Sequence, residues 1–273
     1  MRFIFMALQK EAAPLIQALN LKQVDGAIRC FQNEDTVLSL TGTGPLTAAA
    51  VTASVLERYQ AKETDLLINA GWAGSLQSAH LGQIFRIHRI HDYASNRDYY
   101  PDVSLSSITE ASLITLAFPF TSSMDRTLFL NTVLKEASVL CDMEASGIFE
   151  AAHSRLPLHR MKFLKIVSDL GEKPEETVLS KYSSNLCETV LHELEESELP
   201  VTQPNSSFEQ LEVDLCASVT MRRQLRQLLH YCSLAEIEIT PLIQRLYEEG
   251  NLPASDRAKG KQILEVLYEE LLP

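Results

Sequence analysis

The sequence predicts an α/β domain followed by an all-helical extension. Two observations carry that reading. A short, fully apolar run at residues 3–8 (FIFMAL) and the largely apolar runs 65–69 (DLLIN) and 162–167 (KFLKIV) suit buried strands, and helical patterns separate them. Beyond about residue 200 helical spacing persists but strand-like runs cease. At ~150 residues per domain, 273 residues make one large domain or one plus a smaller appendage. The linker-like stretch 200–207 (PVTQPNSS) sets the division into 1–200 and 201–273.

Each element follows in order. After the first strand, a helix begins near Glu11, with Leu15, Ile16 and Leu19 at helical spacing. Residues 36–41 (TVLSLT) alternate as a second strand and end in Gly42-Thr43-Gly44, a tight turn. Pro45 then opens an alanine-rich helix to Tyr59, where its missing N–H costs nothing. Residues 65–69 form a buried strand, and 70–75 (AGWAGS) are read as the loop beyond it. Gly82 to Tyr93 is strand-like and 95–101 reads as loop. Asp142 to His153 is a helix, residues 162–167 a strand ending at Ser168-Asp169, and Ser180 to Glu196 an amphipathic helix. In the extension, Leu211, Leu215, Leu225, Leu228 and Leu229 suggest one helix. Ser233 with Glu236 resembles a capping box for a second, with Pro241 in its early turns. Ala254 to Leu272 suggests a third.

Composition excludes several classes. With 45% hydrophobic and 22% charged residues, the chain is an ordinary soluble globule, not a disordered one. A net charge of −12 argues against nucleic acid or an anionic membrane as partner. The apolar start is too short for a signal core, and no stretch approaches the ~20 apolar residues of a membrane span. Five scattered cysteines without a C-x-x-C pair read as reduced thiols in a cytoplasmic protein.

Four places put polar groups where an α/β sheet exposes its strand ends: Glu11, the Gly42–Gly44 turn, the segment 70–75, and Ser168-Asp169. A fifth, Asp142-Met143-Glu144-Ala145, is either a helix N-terminus with stabilising carboxylates or a ligand site. His88 and His91 have metal-like spacing but no third ligand, so no metal is expected. Residues 92–102, with Arg97, Tyr99, Tyr100 and Asp102, form either a specificity loop or a surface turn. Cys141 reads as packing.

Taken together in this order, these residues resemble the purine nucleoside phosphorylase and nucleosidase superfamily, most nearly the methylthioadenosine/adenosylhomocysteine nucleosidases. Met6-Ala7-Leu8-Gln9-Lys10-Glu11 is similar to that family's A-M-E-E-E opening, and Thr41-Gly42-Thr43-Gly44 with Ala48-Ala49-Ala50 to S-G-I-G-K-x-x-A-A. Ile68 to Gly74 (INAGWAG) is similar to I-N-T-G-S-A-G, Asp142 to Ala145 to E-M-E-A, and Ile166 to Asp169 to the late I-S-D motif. The resemblance spans about residues 3–195. It implies a three-layer α/β/α domain with a central mixed sheet and cleavage of an N-glycosidic bond, with no cofactor.

By that resemblance Asp169 is the general acid that protonates the purine, oriented by Ser168. This role needs burial or hydrogen bonding that raises its pKa. Glu144 binds ribose hydroxyls and favours an oxocarbenium-like transition state, Met143 packs on the sugar, and Glu11 activates the attacking water. Gly44, Gly71 and Trp72 complete the substrate-binding set. Trp72 stands where the family has a small serine, and Met124-Asp125-Arg126 matches the base-binding segment poorly, so no base-stacking residue carries over. A phosphorylase needs cationic ligands for a dianion, and neither glycine-bearing segment supplies one. Hydrolysis is therefore preferred to phosphorolysis, with a non-catalytic nucleoside-binding protein as the rival from another class. The resemblance also implies a homo-oligomer.

Overall fold

The computed structural model describes residues 1–76, 81–101, 108–124, 129, 138–172, 174–198, 211–218, 221–222, 224–225, 228–229, 232, 237 and 239–271. The segments 200–207, Asp102, Asp125-Arg126 and the Ser233–Glu236 capping box lie outside them. The chain divides into two compact units, Met1–Ser197 and Glu198–Pro273.

In the first unit, ten strands among the described residues form one mixed sheet. They are β1 (Arg2–Met6), β2 (Lys22–Val24), β3 (Cys30–Gln32), β4 (Thr36–Leu40), β5 (Leu66–Ser75), β6 (Ile84–Asp92), β7 (Arg97–Tyr99), β8 (Glu110–Thr115), β9 (Val139–Asp142) and β10 (Met161–Asp169). The helices are α1 (Gln9–Ala18), α2 (Pro45–Arg58), α3 (Ala145–Ala152) and α4 (Glu176–Glu198). β1 lies parallel between β4 and β5. β5 then pairs with β10, β10 with β6, β6 with β8, β8 with β9, and β9 returns to β5 at Gly74 and Ser75. The sheet thus closes on itself at one end.

Alternation along β1 assigns the layers. Phe3 and Phe5 enter a core with Val55 and Leu56 of α2 and Ile148 and Phe149 of α3. Ile4 and Met6 enter another with Ala12 and Leu15 of α1 and Leu186 and Val190 of α4. Helices cover both faces, which gives the predicted three layers.

Several boundaries differ from the sequence reading. Residues 70–75 are not a loop but the second half of β5, paired with β10 from Ala70↔Leu164 to Ala73↔Val167. The glycines there mark close approaches by side chains, not a turn. Residues 95–101 are not all loop, because β7 pairs back on β6. Asp142 ends a strand, and the helix begins only at Ala145. The reason is that Asp142 Oδ2 accepts the Ala145 N–H (2.9 Å), so it caps α3 from outside.

The second unit is helical, with its own core that includes Leu211, Leu215, Leu225, Leu228, Ile263 and Leu267. A single helix across 211–229 is not formed: Cys216 adopts a left-handed φ of 48°, which ends the first turn. Pro241 sits in the first turn of α5 (Thr240–Glu248), where proline is tolerated, and does not interrupt a helix begun earlier. α6 spans Arg257–Leu271.

Candidate active site

A cavity of about 210 Å³ opens at the carboxyl ends of β1, β4, β5, β8, β9 and β10. Glu11, Trp72, Met143, Glu144, Ser168 and Asp169, six residues singled out in the sequence, all line it.

Glu11 is delivered by α1. Its Oε2 accepts the Leu8 N–H (2.9 Å), closing the first turn of the helix, and its Oε1 accepts the Trp72 N–H (2.9 Å). A Cβ on Gly71 would lie 3.4 Å from Glu11 Oε1, so that glycine makes room for the carboxylate. Glu11 is buried, and desolvation raises its pKa against the pull of those N–H groups and of Lys165.

Glu144 is held by the glycine turn. Gly44, at φ 103°, donates its N–H to Glu144 Oε1 (3.1 Å). The free N-terminus of α2 therefore binds an anion of the chain itself. Burial first, and then the neighbouring Asp142, push the Glu144 carboxyl up to about 7; Lys165 and the Gly44 N–H oppose this. α2 and α3 pack so closely here that a Cβ on Gly147 would sit 1.9 Å from the Pro45 carbonyl oxygen.

Asp169 reaches the cavity through a β-bulge. Val167 pairs with Ala73 and Asp169 with Gly74, which leaves Ser168 as the extra residue that re-aims the strand end. Ser168 Oγ donates to Asp169 Oδ2 (2.6 Å) and lies 3.3 Å from the Ala73 carbonyl; the Gly171 N–H donates to Asp169 Oδ1 (2.8 Å).

Trp72 lines the cavity but turns its ring into the protein. Its indole packs with the Ile4/Met6 core and donates Nε1–H to Ser183 Oγ of α4 (3.2 Å). Its backbone N–H serves Glu11 from a strand position, as a small residue there would.

Three contributors escaped sequence reasoning. Lys165, 1% exposed, pairs with Asp142 (Nζ to Oδ2, 2.9 Å) inside the site. Burial alone would lower its pKa, but Asp142, Glu144 and Glu11 outweigh it and raise the value, so Lys165 is a cation. A lysine in the middle of a doubly buried strand was the available signal, because such a charge needs a partner. Thr115, at the end of β8, donates to Asp142 Oδ1 (2.8 Å). Phe120 is the third. It lines the cavity beside Gly74 and Gly171, with an edge-on contact to Phe129 at 5.9 Å between centroids. Its signal in the sequence is the aromatic pair Phe118 and Phe120 around Pro119.

Other candidates are engaged elsewhere. His91 Nδ1 lies 3.0 Å from Asp98 Oδ1, and His88 Nε2 lies 3.3 Å from Ser112 Oγ. Arg89 makes a forked pair with Asp98 (3.0 and 3.1 Å), and Arg86 is buried against Glu193 of α4. Arg97 and Tyr99 belong to β7, outside the cavity lining. Among the described residues no group of three or more His, Cys, Asp or Glu is placed to hold a metal ion.

The backbone decides the fold family. The Arabidopsis thaliana 5′-methylthioadenosine nucleosidase in apo form superposes with a TM-score of 0.60, over 72% of this chain and 96% of that one, at 18% identity. The chain has the nucleosidase fold. The Neisseria meningitidis 5′-methylthioadenosine/S-adenosylhomocysteine nucleosidase, in complex with methylthio-immucillin-A, gives 0.57 over 69% and 96% at 18% identity. A futalosine hydrolase mutant of Helicobacter pylori gives 0.57 over 71% and 98% at 13% identity. No protein-family model and no curated protein matches the sequence. No helix among the described residues is long and apolar enough to cross a membrane.

Proposed function

We propose that the protein hydrolyses the N-glycosidic bond of a purine nucleoside or a closely related metabolite and releases the base. The observation that carries this reading is one cavity lined by Asp169 from the end of β10, Glu11 from the first turn of α1 and Glu144 from the start of α3. Bond cleavage leaves negative charge on the base and positive charge on the sugar. It therefore needs an acid on one side and carboxylates on the other.

Asp169 protonates the leaving purine. Ser168 has a single proton for two acceptors: it donates to ionised Asp169, and it can turn to the Ala73 carbonyl when Asp169 itself carries the proton. Phe120 supplies an apolar face for the base. Glu144 accepts from ribose hydroxyls, Met143 packs on the sugar, and Glu11 holds and deprotonates the attacking water.

Water is favoured over phosphate on electrostatic grounds. Among the described residues Glu11, Asp142 and Glu144 line the cavity and no arginine does, and Lys165, the cation buried among them, is already paired with Asp142. A phosphate dianion would meet like charge at short range. Methylthioadenosine, adenosylhomocysteine and futalosine are the substrates to try first. The same proposal includes a cytoplasmic homo-oligomer: the scattered cysteines without a C-x-x-C pair support the location, and the family resemblance supports the oligomer.

The test is to incubate the protein with these three nucleosides and inosine, with and without phosphate. Free base in phosphate-free buffer supports the reading, and sugar 1-phosphate formed only with phosphate overturns it in favour of phosphorolysis. Tight nucleoside binding without any base release would make the protein a binding module.

A further inference from the structure

Beyond the residues that touch substrate, the site contains a buried ion pair whose position calls for an explanation. Asp142 and Lys165 approach from different strands, β9 and β10, and both are nearly sealed from solvent. Asp142 is engaged through both oxygens by the chain itself: Oδ1 accepts from the Thr115 hydroxyl and Oδ2 from the Ala145 N–H and the Lys165 ammonium. Glu144, two residues along, accepts the Gly44 N–H on Oε1 and lines the cavity.

We propose that Asp142 and Lys165 are a positioning pair that sets the charge state of Glu144 and, through it, the pH at which the site holds a ribose. This rests on the nucleosidase reading for its use, though not for its test. Asp142 caps α3, whose first residue follows Glu144, so it fixes that carboxyl group against the α2 N-terminus. It also holds the Lys165 ammonium at one point. The charged groups facing Glu144 are Asp142 from β9, Lys165 from β10 and Glu11 from α1, with the Gly44 N–H of the α2 N-terminus; Asp169 lines the same cavity from the end of β10. Asp142 repels a charge on Glu144 and Lys165 attracts it. The two members of one pair therefore act on Glu144 with opposite sign.

That opposition gives a signature which a merely structural role would not produce. Removing the anion with Asp142→Asn lowers the Glu144 midpoint by about one pH unit, and removing the cation with Lys165→Met raises it by a similar amount. Lys165→Arg keeps the charge and stays near the wild-type value.

The experiment is a carbon-13 carboxyl NMR titration of the full chain with labelled glutamate. The Glu144 resonance is assigned by its loss in Glu144→Gln. Shifts of opposite sign in Asp142→Asn and Lys165→Met, with Lys165→Arg unmoved, support the pair. Equal midpoints in all variants, or shifts of the same sign, overturn it. Should Lys165→Met fail to fold, Asp142→Asn and Lys165→Arg still decide: a downward shift in the first alone supports the pair, and any other result overturns it. The titration needs no turnover. A wild type that releases no base defeats the nucleosidase reading while the effect of the pair is still measured.

Discussion

At the scale of single residues, Glu144 sets the pH behaviour. Its carboxyl sits at about 7 where an ordinary glutamate sits at 4.5, chiefly through burial. The folded form holds its proton more tightly than the unfolded chain. Its contribution to stability is therefore complete below about pH 4.5 and is lost as pH rises through about 7. Glu11, also raised, acts with the same sign. Chemical denaturation of the unliganded protein at pH 5 and pH 8 should show this loss, and Glu144→Gln should reduce it. Catalysis should run the other way, because only ionised Glu144 supports a cationic sugar. Over the range pH 6–8, kcat/KM should rise through about 7 in the wild type and stay low and flat in Glu144→Gln. At Asp169, the Asn variant should keep its fold and lose at least about 100-fold in base release, the scale of one general acid. Circular dichroism and a base-release assay check the two halves of that statement.

At the scale of elements, most of the architecture was legible because burial on both faces produces continuous apolar runs. β1 and the first half of β5 needed nothing else. The second half of β5 was misread because Gly71 and Gly74 look like turn residues. Their use is to admit Glu11 and Asp169 beside a strand, which no local pattern reveals. β9 was hidden for a similar reason: Asp142 and Glu144 look like one helix start, and only the Asp142 cap on Ala145 separates strand from helix. Lys165 and Phe120 escape a local reading because Asp142, which pairs with Lys165, and Gly74 and Gly171, which lie beside Phe120, belong to other parts of the chain. The α2–α3 contact yields a prediction at this scale. Gly147→Ala pushes a methyl group into the Pro45 carbonyl, and overpacking of this kind costs about 1–3 kcal/mol or more. It should also move Glu144 from Gly44, so KM for a nucleoside should rise as the denaturation midpoint falls. A lower midpoint with unchanged KM would mean that the contact supports stability alone.

At the scale of the whole molecule, a net charge of −12 and a cavity walled by carboxylates agree on a neutral or cationic reaction centre. Phosphate at millimolar concentration should therefore leave the rate unchanged. The helical unit has its own core and was legible as helical, though its internal breaks were not, since a left-handed Cys216 has no sequence mark. Truncation of a fully buried side chain there, Leu267→Ala, should cost about 2–5 kcal/mol. Hydrogen exchange should register it as lost protection along α6. The most direct measurement of the central claim is cleavage of a purine nucleoside in oxygen-18 water, with mass analysis of the sugar. Hydrolysis predicts one heavy oxygen on the released sugar, dependent on Asp169. A sugar phosphate without the label, or no free base from any purine nucleoside, would contradict it.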